Sequence, residues 1–253
     1  TTVNSNGETY VAWNWKAGGS ASSNSNGSIT GSVSAGSTQG FSIVAYQGTG
    51  SDANVGHGLS SAPELIITKS RGSTTDWKVH TSAIDGSWDV GTLNSTSAFG
   101  NSSYTAPTNS IFYVGSGSPT NASGINYISY HFHSVKGFSK ISSFVGNGSS
   151  DGTYVYLGFR PSFILYKVSS ASSDWYLQDN KRLTYNVNST RLEANNSDAE
   201  VTGAADKIDM LSNGFKMRHT SSSFNNSGAT YLYYAVAESP FVNSTNGVPN
   251  NAR

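Results

Sequence analysis

Gly40-Phe-Ser-Ile-Val-Ala-Tyr-Gln-Gly-Thr-Gly-Ser51 recurs further along the chain as Gly137-Phe-Ser-Lys-Ile-Ser-Ser-Phe-Val-Gly-Asn-Gly-Ser149. Each copy is followed by a proline-led apolar run, Ala62-Pro-Glu-Leu-Ile-Ile-Thr-Lys69 and Arg160-Pro-Ser-Phe-Ile-Leu-Tyr-Lys167. Asp76-Trp-Lys-Val79 and Asp174-Trp-Tyr-Leu177 come next. Pro63 and Pro161, Lys69 and Lys167, and Trp77 and Trp175 all keep one interval of about 98 residues, the size of a small β-sandwich. Register held over so many landmarks reads as an internal duplication.

A second motif closes each unit. Asn121-Ala-Ser-Gly-Ile-Asn-Tyr-Ile-Ser-Tyr130 matches Asn225-Asn-Ser-Gly-Ala-Thr-Tyr-Leu-Tyr-Tyr234, a glycine turn leading into an aromatic strand. The same pattern stands at the start of the chain, Asn4-Ser-Asn-Gly-Glu-Thr-Tyr-Val-Ala-Trp13, with no preceding unit for it to close. The sequence therefore predicts a donor-type strand over 1–17 and a flexible Gly/Ser linker over 18–39. A first β-sandwich unit follows over 40–136, a second over 137–241 and a tail over 242–253.

Within the units, short runs rich in Val, Ile, Tyr and Phe, punctuated by Gly and Pro, point to strands and nowhere to helical periodicity. The expected fold is all-β: two tandem jelly-roll or immunoglobulin-like sandwiches of about 100 residues plus the N-terminal orphan strand. A single larger lectin-like sandwich spanning both halves is the alternative.

The composition narrows the partners. Only 12% of the 253 residues are charged, with 15 Lys and Arg against 15 Asp and Glu, so no basic stripe addresses nucleic acid or an anionic membrane surface. Cysteine is absent, which removes disulfides, thiolate metal sites and thiol nucleophiles. No apolar run reaches the roughly 18 residues needed to span a bilayer, and no signal region follows Thr1, so the chain is expected to be processed or a piece of something longer. About nine Asn-x-Ser/Thr sequons occur, a small excess over chance. Those at Asn94, Asn101, Asn147, Asn188 and Asn243 are candidate glycosylation sites.

Three stretches carry a family likeness: Tyr10-Val-Ala-Trp-Asn-Trp-Lys-Ala-Gly-Gly19, Gly56-His-Gly-Leu-Ser-Ser-Ala-Pro-Glu-Leu-Ile-Ile-Thr-Lys69 and Tyr231-Leu-Tyr-Tyr-Ala-Val-Ala-Glu-Ser-Pro-Phe241. Through them the chain resembles a domain of unknown function found, often in tandem copies, in tail-fibre-like and other virion proteins of marine bacteriophages. The resemblance implies fibre or virion architecture and attachment to cell surfaces. It brings no catalytic residues. The second unit departs from the first where Gly56-His57-Gly58 has no counterpart.

Chemistry-bearing constellations are sparse. His131 and His133 alternate on an expected strand, so both would face one side, with His80 or His57 as a third metal ligand. Ala235 and Ala237 occupy the matching positions of the second unit, which favours a structural role and no metal. Asp85 and Asp89 flank Trp88, an arrangement that invites comparison with the paired carboxylates and aromatic platform of a sugar site. Neither carboxylate recurs in the second unit. Asp52 and Asp151 each sit beside a Gly-Ser turn and offer one carboxylate where calcium wants several oxygens, so they read as ordinary turns. No Gly-x-Ser-x-Gly elbow marks a nucleophile. The chain is thus expected to be no enzyme and to need no cofactor.

The leading functional expectation is a structural subunit of an extracellular fibre or virion appendage. Tyr10, Val11, Trp13 and Trp15 would join copies head to tail by strand donation. The alternative is an attachment module whose Trp88 loop contacts host glycans.

Overall fold

The computed structural model of the chain describes residues 5–117, 119–203 and 207–239, and these contain strands, turns and no helix. The first unit holds β1 (Ser22–Asn24), β2 (Gly31–Gly36), β3 (Phe41–Gln47), β4 (Ala53–Gly56), β5 (Leu65–Ser70), β6 (Lys78–Thr81), β7 (Asp89–Thr92), β8 (Gly100–Asn101), β9 (Ile111–Val114) and β10 (Asn126–Phe132). The second holds β11 (Ser139–Val145), β12 (Tyr154–Tyr156), β13 (Pro161–Val168), β14 (Tyr176–Asp179), β15 (Leu192–Glu193), β16 (Ile208–Leu211), β17 (Gly214–Met217) and β18 (Thr230–Ala237). All the named strand pairs are antiparallel.

One sheet runs β1-β2-β3-β10-β5-β6-β7-β8 and another β11-β18-β13-β14-β15. The order β3-β10-β5-β6-β7 is repeated by β11-β18-β13-β14-β15, with the last strand of each unit inserted between its earlier neighbours. The two prolines fall as expected. Pro63 precedes β5, and Pro161 opens β13 beside a register shift, so neither interrupts a ladder.

Apolar residues on both faces of the central strands determine the layering. On β13, Ile164, Tyr166 and Val168 face a core shared with Val155, Met210 and Phe215, whereas Phe163 and Leu165 face the opposite way. On β10, Tyr127 joins a first-unit core with Phe112 and Val114, while Phe132 faces the other side. A strand apolar on both faces must be covered on both. The ribbon β4–β9 covers one face of the eight-stranded sheet, and the sheet β12-β17-β16 covers one face of the five-stranded sheet. The remaining two faces pack on each other, joining Phe41, Leu65, Val79 and Phe132 to Phe163, Leu165, Trp175 and Tyr234. The result is four stacked layers with three cores.

The units are therefore stacked face to face rather than strung as beads. A tight turn makes the connection: Val135 pairs with Ser139, and Gly137 at φ +75° takes the left-handed conformation that the reversal needs. The expected flexible linker over 18–39 is corrected. That stretch supplies β1 and β2, with Ile29 and Val33 buried in the first-unit core, because its sparse Ile and Val alternate with Ser and Gly at strand period.

Repeated polar residues do matched structural work. The buried Asn121 amide donates to Ser51 O while its Oδ1 accepts from Thr49 N; Asn225 does the same with Ser149 O and Asn147 N. Asn94 and Asn195 each bridge an Asp side chain (Asp76, Asp174) and the following Trp amide. Lys69 Nζ donates to the carbonyls of Ser73 and Thr75 in the hairpin below it, and Lys167 Nζ to those of Ser173 and Thr96. Lys167 is fully buried, and burial lowers its pKa to about 8, partly opposed by Asp174. Its bond to Thr96 crosses between units, as do Trp175 Nε1 to Thr92 O at 2.9 Å and Phe99 N to Ser169 O at 2.8 Å.

Phe163 touches the seam from the second unit and meets Trp13, Trp15 and Tyr234 rings at 5.4, 5.4 and 6.2 Å. Phe163→Ala is expected to cost about 3–5 kcal/mol, the range for deleting a buried phenyl ring. Urea unfolding followed by tryptophan fluorescence checks it; a cost under about 1 kcal/mol would mean that the seam is not packed as described.

Candidate functional site

The N-terminal segment is the first candidate, as the element expected to join copies. Residues 8–18 are assigned no strand and pair with no sheet, which corrects the donor-strand expectation in form. Their side chains nevertheless alternate: Val11, Trp13, Trp15 and Ala17 turn inward, and the residues between them are exposed. The segment is an extended strap lying over the seam of its own chain. Trp15 Nε1 donates to Tyr234 Oη at 2.9 Å, and its ring meets Phe132 of the first unit and Phe163 of the second. Trp13 lies edge-on to Phe163, with the Arg182 guanidinium 5.9 Å from its ring centroid. Tyr10 is 54% exposed and stays outside this contact. Two tryptophans hold the strap.

The Trp88 loop does not form one sugar-facing cleft. Trp88 is half-buried and stacks on His80 at 5.9 Å, and His80 stacks in turn on Tyr104 at 5.3 Å. Asp89 pairs across the ladder with Thr81, which lies two residues beyond the seam residue Val79, so its carboxylate turns toward the second unit. Trp88 instead packs against the first-unit core. Asp85 is exposed and accepts from Ser87 N at 2.8 Å and Ser87 Oγ at 2.6 Å, bonds that lower its pKa. Asp89 is 4% exposed, its Oδ2 has no partner, and burial followed by the Asp85 charge raises its pKa.

The histidines do not chelate together. His131 is buried between Phe112 at 4.4 Å and His57 at 5.9 Å, with neither ring nitrogen bonded. His133 lies past the end of β10, with Nδ1 2.9 Å from Ser134 O. His57 spends both nitrogens on backbone: Nδ1 accepts from Leu59 N at 3.1 Å, which fixes the tautomer and leaves Nε2–H to donate to Thr108 O at 3.0 Å. His57 is a staple for its Gly-His-Gly turn. Among the described residues no group of three His, Asp or Glu converges as a metal site. Burial lowers the pKa of His57 and of His131, where the neighbouring His57 adds to it, and takes His80 down to about 4, helped by Lys78.

Of the sequons, Asn188 is corrected outright: it is 1% exposed, and its amide donates to Asp179 O at 2.6 Å, so this fold leaves no room for a glycan on it. Asn94 and Asn147 are exposed, but their amides bond Asp76 and Asp151. Asn101 is exposed on β8, and Asn243 lies outside the described residues. No motif could have separated these, since a sequon says nothing of what its amide bonds.

Fold and strap together define an all-β module of four stacked layers closed by an aromatic strap. The chain belongs to the family described as a domain of unknown function (DUF7483), whose model matches residues 1–240. No curated protein and no solved structure matches it.

Two pH effects of opposite sign follow. The buried histidines have folded pKa values below 6.5, so the unfolded chain takes up protons first as pH falls, and stability drops between about pH 6.5 and 4. His80 alone contributes about 3 kcal/mol to that loss. The urea midpoints at pH 7.5 and 5 should lie further apart in wild type than in His80→Phe, which keeps a ring in the stack; an equal pH dependence in both would remove His80 from the account. Asp89 has the reverse sign, since its raised pKa makes its charge unfavourable at neutral pH. Asp89→Asn is expected to be more stable than wild type at pH 7, with the difference shrinking toward pH 3. A loss of stability at pH 7 would overturn this.

Proposed function

We propose that this chain is an architectural module of an extracellular fibre or virion appendage, joined to further copies of itself through the N-terminal strap. The observation that carries the reading is the way the strap is held: two indole rings and one indole hydrogen bond, with no backbone ladder. Such a contact can be made by the strap of the same chain or, identically, by the strap of a neighbour. Exchange of an identical element between copies creates no new interface chemistry. It is propagating when each chain receives at one seam and gives from its own N-terminus.

The rest of the molecule supports an architectural role. The repeated Asn, Asp and Lys residues, which in an enzyme would be the natural acid, base and binding groups, are engaged in closing hairpins and bridging units. Stacking through a common seam joins the two units into one body, as a shaft needs. The resemblance to tail-fibre-like proteins supports this reading, and an extracellular setting suits a sparsely charged chain rich in Ser and Asn.

The experiment is size-exclusion chromatography with light scattering, over a range of concentrations, on the full chain, on a version lacking residues 1–17 and on Trp13→Ala/Trp15→Ala. The full chain is expected to associate with rising concentration and to show end-to-end threads by negative-stain microscopy, while both variants stay single. A full chain that remains monomeric throughout contradicts strap exchange and leaves the strap as an intramolecular clasp.

A further inference from the structure

The β4–β9 ribbon carries on its outer side a groove of about 770 Å³, within the roughly 300–1,000 Å³ usual for small-ligand sites. Val55, Phe112 and Val114 of the ribbon point into the first-unit core, so the cross-strand pair Asn54 and Tyr113 points the other way, into the groove. Asp52, Tyr104 and Ser116 add to its polar lining, with Ser28, Ser103 and Thr105 around them.

These groups are placed and only partly used. Asp52 Oδ1 accepts from Ser116 N at 2.7 Å, and Oδ2 has no protein partner among the described residues. Asn54 Oδ1 accepts from Ser28 N at 2.8 Å, which orients the amide and leaves its Nδ2–H groups unbonded. The Tyr113 hydroxyl is also without a partner among the described residues. Tyr104 is fixed on three sides: its ring stacks on His80, its hydroxyl lies 3.1 Å from Thr120 Oγ1, and it presses on Gly115, where a Cβ would come within 2.3 Å of the ring. Gly115 is required there for that close approach.

We infer that this groove binds a neutral saccharide: the free Asp52 oxygen and the Asn54 amide would hold adjacent ring hydroxyls, and a tyrosine face would meet the apolar side of the sugar ring. The lining holds a free acceptor, a free amide donor, hydroxyls and two half-exposed tyrosines, the mixture that a pyranose with vicinal hydroxyls matches. It holds no Lys or Arg, and the Asp52 carboxylate repels anionic sugars and phosphates.

The second unit does not reproduce the site. There the counterpart carboxylate, Asp151, is neutralised by Lys216 Nζ at 2.5 Å and Arg218 Nη1 at 3.0 Å, and the outward cross-strand pair is Tyr154 with Lys216. A third strand, β16, extends that ribbon. Binding is thus a property of the first unit alone, and it stands whether or not copies exchange straps.

The test is two-dimensional ¹⁵N NMR of the full chain titrated with the methyl glycosides of galactose, glucose and mannose, and with glucuronic acid as the anionic control. The expected result is saturable shifts at the amides of Asn54, Tyr104, Tyr113, Gly115 and Ser116 with at least one neutral glycoside and a weaker response to glucuronic acid. Asp52→Asn, which keeps the acceptor for Ser116 N, is expected to weaken binding about tenfold without changing the melting temperature. Tyr113→Ala should weaken it independently. Silence of these amides with every neutral glycoside, shifts centred elsewhere such as the Trp88 loop, or binding untouched by both substitutions would overturn the proposal.

Discussion

Everything in this molecule depends on strands that are apolar on both faces. In β5, β10, β13 and β18 the side chains alternate between two cores, as Ile66 against Leu65, Tyr127 against Phe132, Tyr166 against Phe163 and Tyr231 against Tyr234 show. A half-buried strand would leave one of those faces in water, and the phenyl rings of Phe132 and Phe163 alone would forfeit a few kcal/mol of burial. The seam between the two large sheets removes that cost for both units together. The tight Val135–Ser139 turn, the Lys167 and Trp175 bonds to the 92–96 loop, and the strap across Phe163 and Tyr234 are all consequences of closing that one face.

The same constraint divides the molecule into an inside and two outsides. Small sheets cover the outer faces: a two-stranded ribbon on the first unit and a three-stranded sheet on the second. With the inner faces committed to the seam, differences between the units fall on these outer covers and their loops, beside the extra edge strands β1, β2 and β8 of the first unit. Asp52 with a free oxygen and Asp151 locked by Lys216 and Arg218 are such a difference, on scaffolds whose closing hairpins use the same asparagine device. Like frames with unlike outer covers let the proposed architectural role and the proposed groove occupy different faces of one chain.

Much of this was legible in the residues. The strands of each unit, the matched Asn121 and Asn225 and the proline-led runs were visible in the interval shared by Pro63 and Pro161, whereas the order of strands in the sheets was not. The runs Leu65-Ile-Ile and Phe163-Ile-Leu-Tyr166 were legible as strands but not as strands buried on both faces, although apolar residues at consecutive positions are what such strands carry. What covers the second face was not legible, as packing between sheets leaves no local pattern. The stretch 18–39 misled for a related reason: Ser and Gly dominate it, and only Ile29 and Val33, held by neighbours distant in sequence, make it β-structure. Trp88 looked like an exposed platform because nothing in the chain order places His80 and Tyr104 beside it. The groove was hidden because Asp52, Tyr104 and Tyr113 come from three separate loops and strands, brought together only by the pairing of β4 with β9.

The most direct measurement of the shared seam is native-state hydrogen exchange across a series of low denaturant concentrations, comparing amides of β3, β5 and β10 with those of β11, β13 and β18. If one core holds both units, the most protected amides of the two sets open with the same free energy and the same denaturant dependence. Exchange of one set through a cheaper opening, while the other stays protected, would mean that the two sandwiches fold as separate bodies and that the seam is only a contact between them.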